Sequence, residues 1–345
     1  MSETTTTAPG PAAESRPAPP AVPFRELVEL ACRAPSLHNT QPWRWRADGT
    51  RLRLYADRTR QLPHSDPDGR AVAISCGAAL HHAQVAAEAL GWEVVVRRCP
   101  DPADPDLLAT LDLAPGRVVP AAQERLEALR ARSTDRRRFT SWPLPAERLD
   151  RLAERAAAWG AKVVPVVDPG RQVALEELMR RADEIERGDP DHVAEVAPWV
   201  GSRGAQGVPV TSIPEVNPHR PAVPSRYQPG EPADPRGELP DPQGEPGEFV
   251  EGLMVLGTLE DDPPAWLRCG ETLSALWLGT LRQGLSLLPL SQVTEVPATR
   301  ERLRHDVLDG LLWPQLTVRV GWQEITRGPL PRAPRGPVEE VLRFD

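Results

Sequence analysis

The residues best suited to chemistry fall in two short stretches, Ala34 to Trp43 (APSLHNTQPW) and Arg132 to Phe139 (RSTDRRRF). The first combines a Pro-Ser turn, a polar His-Asn-Thr-Gln run and a Pro-Trp turn, which suits backbone folded around a ligand better than a plain connector. Its simpler alternative is a helix end turning into the strand Arg51 to Asp57. The second stretch offers guanidinium and hydroxyl donors able to make charge-assisted bonds. Its simpler alternative is a solvated, arginine-rich helix C-cap.

Other chemistries are poorly supported. Cys32, Cys76, Cys99 and Cys269 form no Cys-x-x-Cys pair, so neither a disulfide framework nor a zinc site is indicated, and no metal is expected. His81 and His82 are adjacent on a predicted helix and point about 100° apart, which is not metal-ligand spacing. Gly201 to Gly207 (GSRGAQG) is glycine-rich but follows no strand, which disfavours a dinucleotide fingerprint. Gly-x-Ser-x-Gly, HExxH and Walker patterns are absent from the sequence.

The chain has 345 residues and a formal charge of -8, which disfavours nucleic acid or an anionic membrane as the main partner. Lys162 is the only lysine, so single arginines carry little weight by themselves. No apolar run reaches the roughly 18 residues of a membrane helix. Residues 1–22 are rich in Thr, Ala and Pro with no apolar core, and read as a disordered tail of a cytoplasmic protein.

The elements that must position the two stretches follow from periodicity. Helices are predicted over Pro23 to Ala34, Ala71 to Leu90, Ala121 to Ala131, Ala146 to Trp159, Arg171 to Ile185 and Ala265 to Gln283. Strands are predicted at Arg51 to Asp57, Trp92 to Val96, Lys162 to Val167, the segment EFVEGLMVLG and Leu316 to Val320. Gly188 to Gly247 is crowded with Pro, Gly and acidic residues and reads as a lid or a disordered insertion. A Pro/Arg tail, PLPRAPRGPVEEVL, closes the chain.

An internal repeat links the two halves. Cys76-Gly77 is followed by Leu80 and then a helix end at Gly91; Cys269-Gly270 is followed by Leu273 and a helix end at Gly284, at the same intervals. This predicts a duplicated α+β unit, with the halves packed through small-residue helices. The expected division is 23–118 for the N-terminal half and 119–345 for the C-terminal half, the latter carrying the Pro-rich insertion at 188–247.

With both stretches placed, the chain resembles the nitroreductase family of FMN-dependent flavoproteins, and especially its Acg-like branch, in which two units are fused. The resemblance implies an α+β nitroreductase-like fold, an intramolecular pseudo-dimer with central packed helices and flanking sheets. In the family, an Arg-x-Ser-x-Lys/Arg motif from one subunit meets an APSxxNxQPW motif from the other. Here the first survives as Arg132, Ser133, Thr134 and Arg136, and the second as Pro35, Ser36, Asn39 and Gln41, so one complete site and one FMN per chain are implied. The segment AAAWGAK replaces the APS turn in the other half.

Arg132 and Thr134 would serve the flavin phosphate, and Arg136 would stand near the flavin N1 and O2. Pro289, Leu290 and Ser291 fall where the family places a proline loop against the flavin N5 edge, and Arg332 or Arg335 resembles the arginine that completes the phosphate site. The segment GVPV resembles one near the lid of the Acg-like branch. The activity implied is hydride passage from NAD(P)H through FMN to a nitro- or quinone-like small molecule, by a monomeric pseudo-dimer with no essential protein acid or base. Two alternatives are an FMN-holding protein whose lid excludes the nicotinamide, and a flavin-free scaffold.

Overall fold

The computed structural model describes residues 21–118, 120–134, 136, 139, 142–202, 204–209, 252–322 and 332–345. In order, the elements are α1 (Phe24–Ala31), β1 (Trp43–Asp48), β2 (Arg51–Ala56), α2 (Arg70–Ala89), β3 (Trp92–Arg98), β4 (Leu107–Pro115), α3 (Pro120–Ala131) and α4 (Ala146–Ala157). There follow β5 (Lys162–Pro165), α5 (Pro169–Gly188), α6 (Pro190–Val196), β6 (Val200–Ser202), β7 (Val208–Pro209), β8 (Gly252–Thr258) and α7 (Pro263–Leu281). The last are β9 (Leu285–Leu290), α8 (Gln292–Glu295), α9 (Pro297–Asp306), β10 (Trp313–Trp322), α10 (Val338–Val341) and β11 (Leu342–Phe344). The tail at 1–20 and the greater part of the Pro-rich insertion, 210–251, lie outside the described residues.

Two sheets flank α2 and α7. Their strand orders are β11-β1-β2-β4-β3 and β5-β8-β10-β9. Apart from β11, the two follow one plan, with first, second, fourth and third strands side by side and every neighbouring pair antiparallel. The sequences explain how each sheet is covered. In β1, WRWRAD alternates buried and exposed positions, so one face meets the helices and the other meets water. In β8, GLMVLGT is buried at every position, because α5, α8 and α9 cover the face that α4 and α7 do not.

The central helices touch backbone to backbone. A Cβ at Gly77 would run into the carbonyl oxygen of Leu267, and one at Gly270 into that of Ile74. The contact is reciprocal, each glycine meeting the residue three positions before the other, as across a two-fold axis. His81 and Ser274 lie one turn further on and are bonded Nδ1 to Oγ at 2.7 Å. Buried polar bridges reinforce the crossing: Glu271 of α7 accepts from Arg98 Nε (2.6 Å) and Nη2 (2.8 Å) and from Gln84 Nε2 (2.7 Å). Arg70 of α2 donates to the carbonyls of Gln315 (2.6 Å) and Thr294 (2.5 Å).

Several elements depart from the sequence reading. The periodicity does not announce β1, β4, β9, α8 or α9, and Pro289 and Leu290, expected in a loop, form the end of β9. Residues 188–209 are not featureless, since they hold α6, a 3-10 turn and the β6–β7 pair. Helix α3 contributes Ala122, Leu126, Ala128 and Leu129 to the first core, because its apolar stripe lies against α2. The supposed C-terminal tail ends in β11, which pairs in parallel with β1 through Trp45 and Leu342.

Two predictions follow from the crossing. Gly270→Ala should lower stability by about 3 kcal/mol, the upper part of the usual overpacking range, because the new methyl meets backbone. Gly279→Ala in the same helix meets only the Leu152 Cδ2 at 3.7 Å and should cost little, so thermal melts of the pair separate close approach from helix propensity. The second concerns acid. Burial pushes the His81 pKa down to about 3 and holds that of His82 well below its ordinary value. The unfolded chain therefore takes up protons as pH falls below 6.5 while the folded one does not, and stability drops by about 1.4 kcal/mol per pH unit for each histidine. Urea midpoints between pH 6.5 and 5 should show this fall, and His81→Asn should roughly halve its slope.

Candidate functional site

The polar stretch behind α1 is strained. His38, Asn39 and Gln41 have φ of 45°, 57° and 53°, a left-handed backbone that costs residues with a Cβ of order 1 kcal/mol each. Hydrogen bonds hold it there: Gln41 N donates to Ser36 Oγ (3.0 Å), Thr40 Oγ1 to Leu37 O (2.9 Å), and Arg60 Nη1 to the carbonyls of Thr40 (3.2 Å) and Gln41 (3.3 Å). Such outliers concentrate at ligand sites, and this one borders a cleft.

The cleft encloses about 390 Å³ of open space, mouth included. One wall is Pro35, Ser36 and Asn39; a second is Thr134 and Arg136; Val208 and Pro209 form a third; Ala333 and Arg335 complete it. The two sequence-selected stretches therefore do meet, although they lie about a hundred residues apart.

Arg132, two residues before Thr134 in the chain, does not itself line the cleft; it is 7% exposed, with Cζ 4.6 Å from the ring centre of Trp277 in α7. Its Nη2 donates to Arg33 O (2.9 Å), while Nε and Nη1 have no hydrogen-bond partner. Burial, and then the positive charges of Arg335, Arg33 and Arg136, push its pKa well below the ordinary value. Among the described residues, the charges named as shifting it are all arginines. A buried guanidinium with unpartnered donors beside other arginines suits an anion.

Arg335 is engaged differently. Its Nε donates to Cys32 O (2.7 Å), Nη2 to Ala34 O (3.0 Å) and Arg33 O (3.2 Å), and Nη1 to Pro334 O (2.9 Å). It thus caps the carbonyl end of α1, and burial pushes its pKa down to about 10. Arg332 is exposed and close enough to Arg33 to lower that residue's pKa, after burial. Of the two candidates, Arg335 is the one in the cleft wall.

The remaining sequence-selected residues stand apart from the wall. Gln41 is buried beside it, Ser133 is half-buried between Arg132 and Thr134, and Pro289, Leu290 and Ser291 do not line the cleft. Arg33, Val208, Pro209 and Ala333 lie outside the sequence-selected residues, the segment GVPV being the one signal that points to two of them. Among the described residues no His, Cys, Asp and Glu group could hold a metal, and no helix is long and apolar enough to cross a membrane.

No family model matches the chain. It is 37% identical over 341 residues to the Mycobacterium tuberculosis protein named "Putative NAD(P)H nitroreductase Rv3131", covering 97% of this chain and 95% of that one. It is 33% identical over 324 residues to "Putative NAD(P)H nitroreductase acg" of the same species, covering 92% and 95%. Among solved structures, the FMN-dependent nitroreductase NfnB from Mycobacterium smegmatis, in complex with NADPH, aligns at 16% identity and a TM-score of 0.39 over 65% of this chain and 99% of that one. A nitroreductase with bound FMN from Bacteroides fragilis aligns at 16% identity and a TM-score of 0.37, over 59% and 91%. On the strength of the two mycobacterial relatives, the chain belongs to the nitroreductase family.

Proposed function

We propose that the protein is an FMN-dependent oxidoreductase that takes reducing equivalents from NAD(P)H and passes them to a small nitro- or quinone-like acceptor, with one FMN per chain. The observation that carries this is Arg132, buried among arginines with Nε and Nη1 unpartnered, in a member of the nitroreductase family. The residues fit the cofactor. A phosphate monoester is the kind of anion those donors await. Arg132 and Thr134 would hold the phosphate, with Ser133 beside them, and Pro35, Ser36 and Arg136 would border the rest of the cofactor. Bound FMN supplies hydride transfer; the chain's own residues bind, orient and shield it. A cation such as Arg136 near the ring favours negative charge developing there.

The matching strand orders and the reciprocal glycine contact support reading the chain as two fused units that act as their own pair. Pro289, Leu290 and Ser291 would reach the flavin only if its ring extends past the present cleft wall. A second reading, an FMN-holding protein with little turnover, is favoured by the part that Val208 and Pro209, from the segment expected to form a lid, take in the cleft wall.

Anaerobic addition of NADPH or NADH to the FMN-loaded protein decides between them. Bleaching of the flavin bands within seconds is expected for a reductase, and bands that yield only to dithionite are expected for a holder. A protein that takes up no FMN would overturn both. Arg132→Ala should weaken FMN binding about 100-fold, the worth of two charge-assisted bonds at about 1.5 kcal/mol each. Its affinity for riboflavin, which lacks the phosphate, should hardly change; equilibrium titration by flavin fluorescence measures both.

A further inference from the structure

Asn39 and Gln41 resemble flavin ligands in sequence, yet their side chains are engaged elsewhere. Gln41 Nε2 donates to Ala205 O at 2.8 Å, and its Oε1 accepts from Gly336 N at 3.1 Å. Asn39 Nδ2 donates to Gly207 O at 3.0 Å and to Pro334 O at 3.2 Å, and Asn39 O accepts from Gly207 N at 3.3 Å. Each carboxamide therefore joins the same two segments, 204–207 and 334–336, although these are far apart in the chain. The residues next to both joints form cleft wall: Val208 and Pro209 on one side, Ala333 and Arg335 on the other.

We propose that Gln41 and Asn39 are positioning residues that clasp these two segments over the cleft and thereby set how fast FMN enters and leaves. The proposal rests on the FMN reading given above. A primary amide is the group the arrangement requires, because Gln41 must donate to one segment and accept from the other. A carboxylate keeps the acceptor and loses the donor. Both joints form at strained positions, φ 57° and 53°, so part of the bonding is offset by backbone strain and the clasp is poised to open. Opening would stay local. Upstream, Glu195 of α6 accepts from His64 N (2.9 Å), Ser65 N (2.9 Å) and Ser65 Oγ (2.8 Å), which tethers the covering segment to the same half of the molecule.

The test is stopped-flow flavin fluorescence on the full chain, comparing wild type with Gln41→Glu and, as a second variant, Asn39→Asp. Both association and release of FMN should speed up about tenfold, with Kd changed less than threefold and the spectrum of bound flavin unaltered. Lowering the pH until the new carboxyl of Gln41→Glu is protonated restores a donor and should slow both rates again. Faster release with unchanged association would make Gln41 a direct cofactor ligand and overturn the clasp, as would two unaltered rates. If the wild type bound no FMN, the functional reading would fail by itself. Hydrogen exchange at the amides of Gly207 and Gly336 then judges the clasp: exchange about tenfold faster in Gln41→Glu upholds it, and unchanged exchange overturns it.

Discussion

The site depends on the contact between α2 and α7 at Gly77 and Gly270. With no side chain on either glycine, the helix backbones meet, and everything mounted on them is drawn to one centre. Arg132 shows the result most directly. It stands at the end of α3, bonds to the carbonyl of Arg33 behind α1, and lies over Trp277 of α7. Any separation of the central helices would leave this side chain without its aromatic floor, and the cleft would have one wall fewer.

Electrostatics then gives the site its sign. Helices α1 and α3 both end here, and helix C-termini carry partial negative charge. Arg335 answers the first of these ends by bonding three carbonyls in succession. Beside that cap stand the guanidiniums of Arg33 and Arg132, in a chain whose overall charge is negative. Elsewhere arginines stand opposite carboxylates, as Arg98 does with Glu271 and Arg300 with Asp261. Around Arg132 the neighbours that shift its charge are arginines, a disposition that lowers stability unless an anion completes it.

Much of the scaffold was legible in sequence because its periodicity is plain. The helices of the two halves, β2 and β3 match the intervals read from apolar spacing, and the Cys-Gly pairs did mark the helix crossing. The strands that were overlooked have specific reasons. WRWRAD in β1 alternates as a strand should, but its arginines and the preceding Pro-Trp turn drew it into the neighbouring loop. Pro289 in β9 looked like a loop signal, yet β9 lies at an edge of its sheet, where a missing amide proton is tolerated. In the site, the residue types pointed to the cleft while the bonding partners stayed hidden. Nothing local tells Gln41 that its amide will meet Ala205 and Gly336, because that pairing is made by tertiary proximity alone.

Strand β11 has a further consequence. It lies beside β1, near the beginning of the described chain, yet it is made from the residues numbered last, and Arg335 comes just before it. One short segment thus does three jobs at once: it covers the carbonyl end of α1, gives β1 its parallel neighbour and forms a wall of the cleft, so a cut before Arg335 would remove all three together.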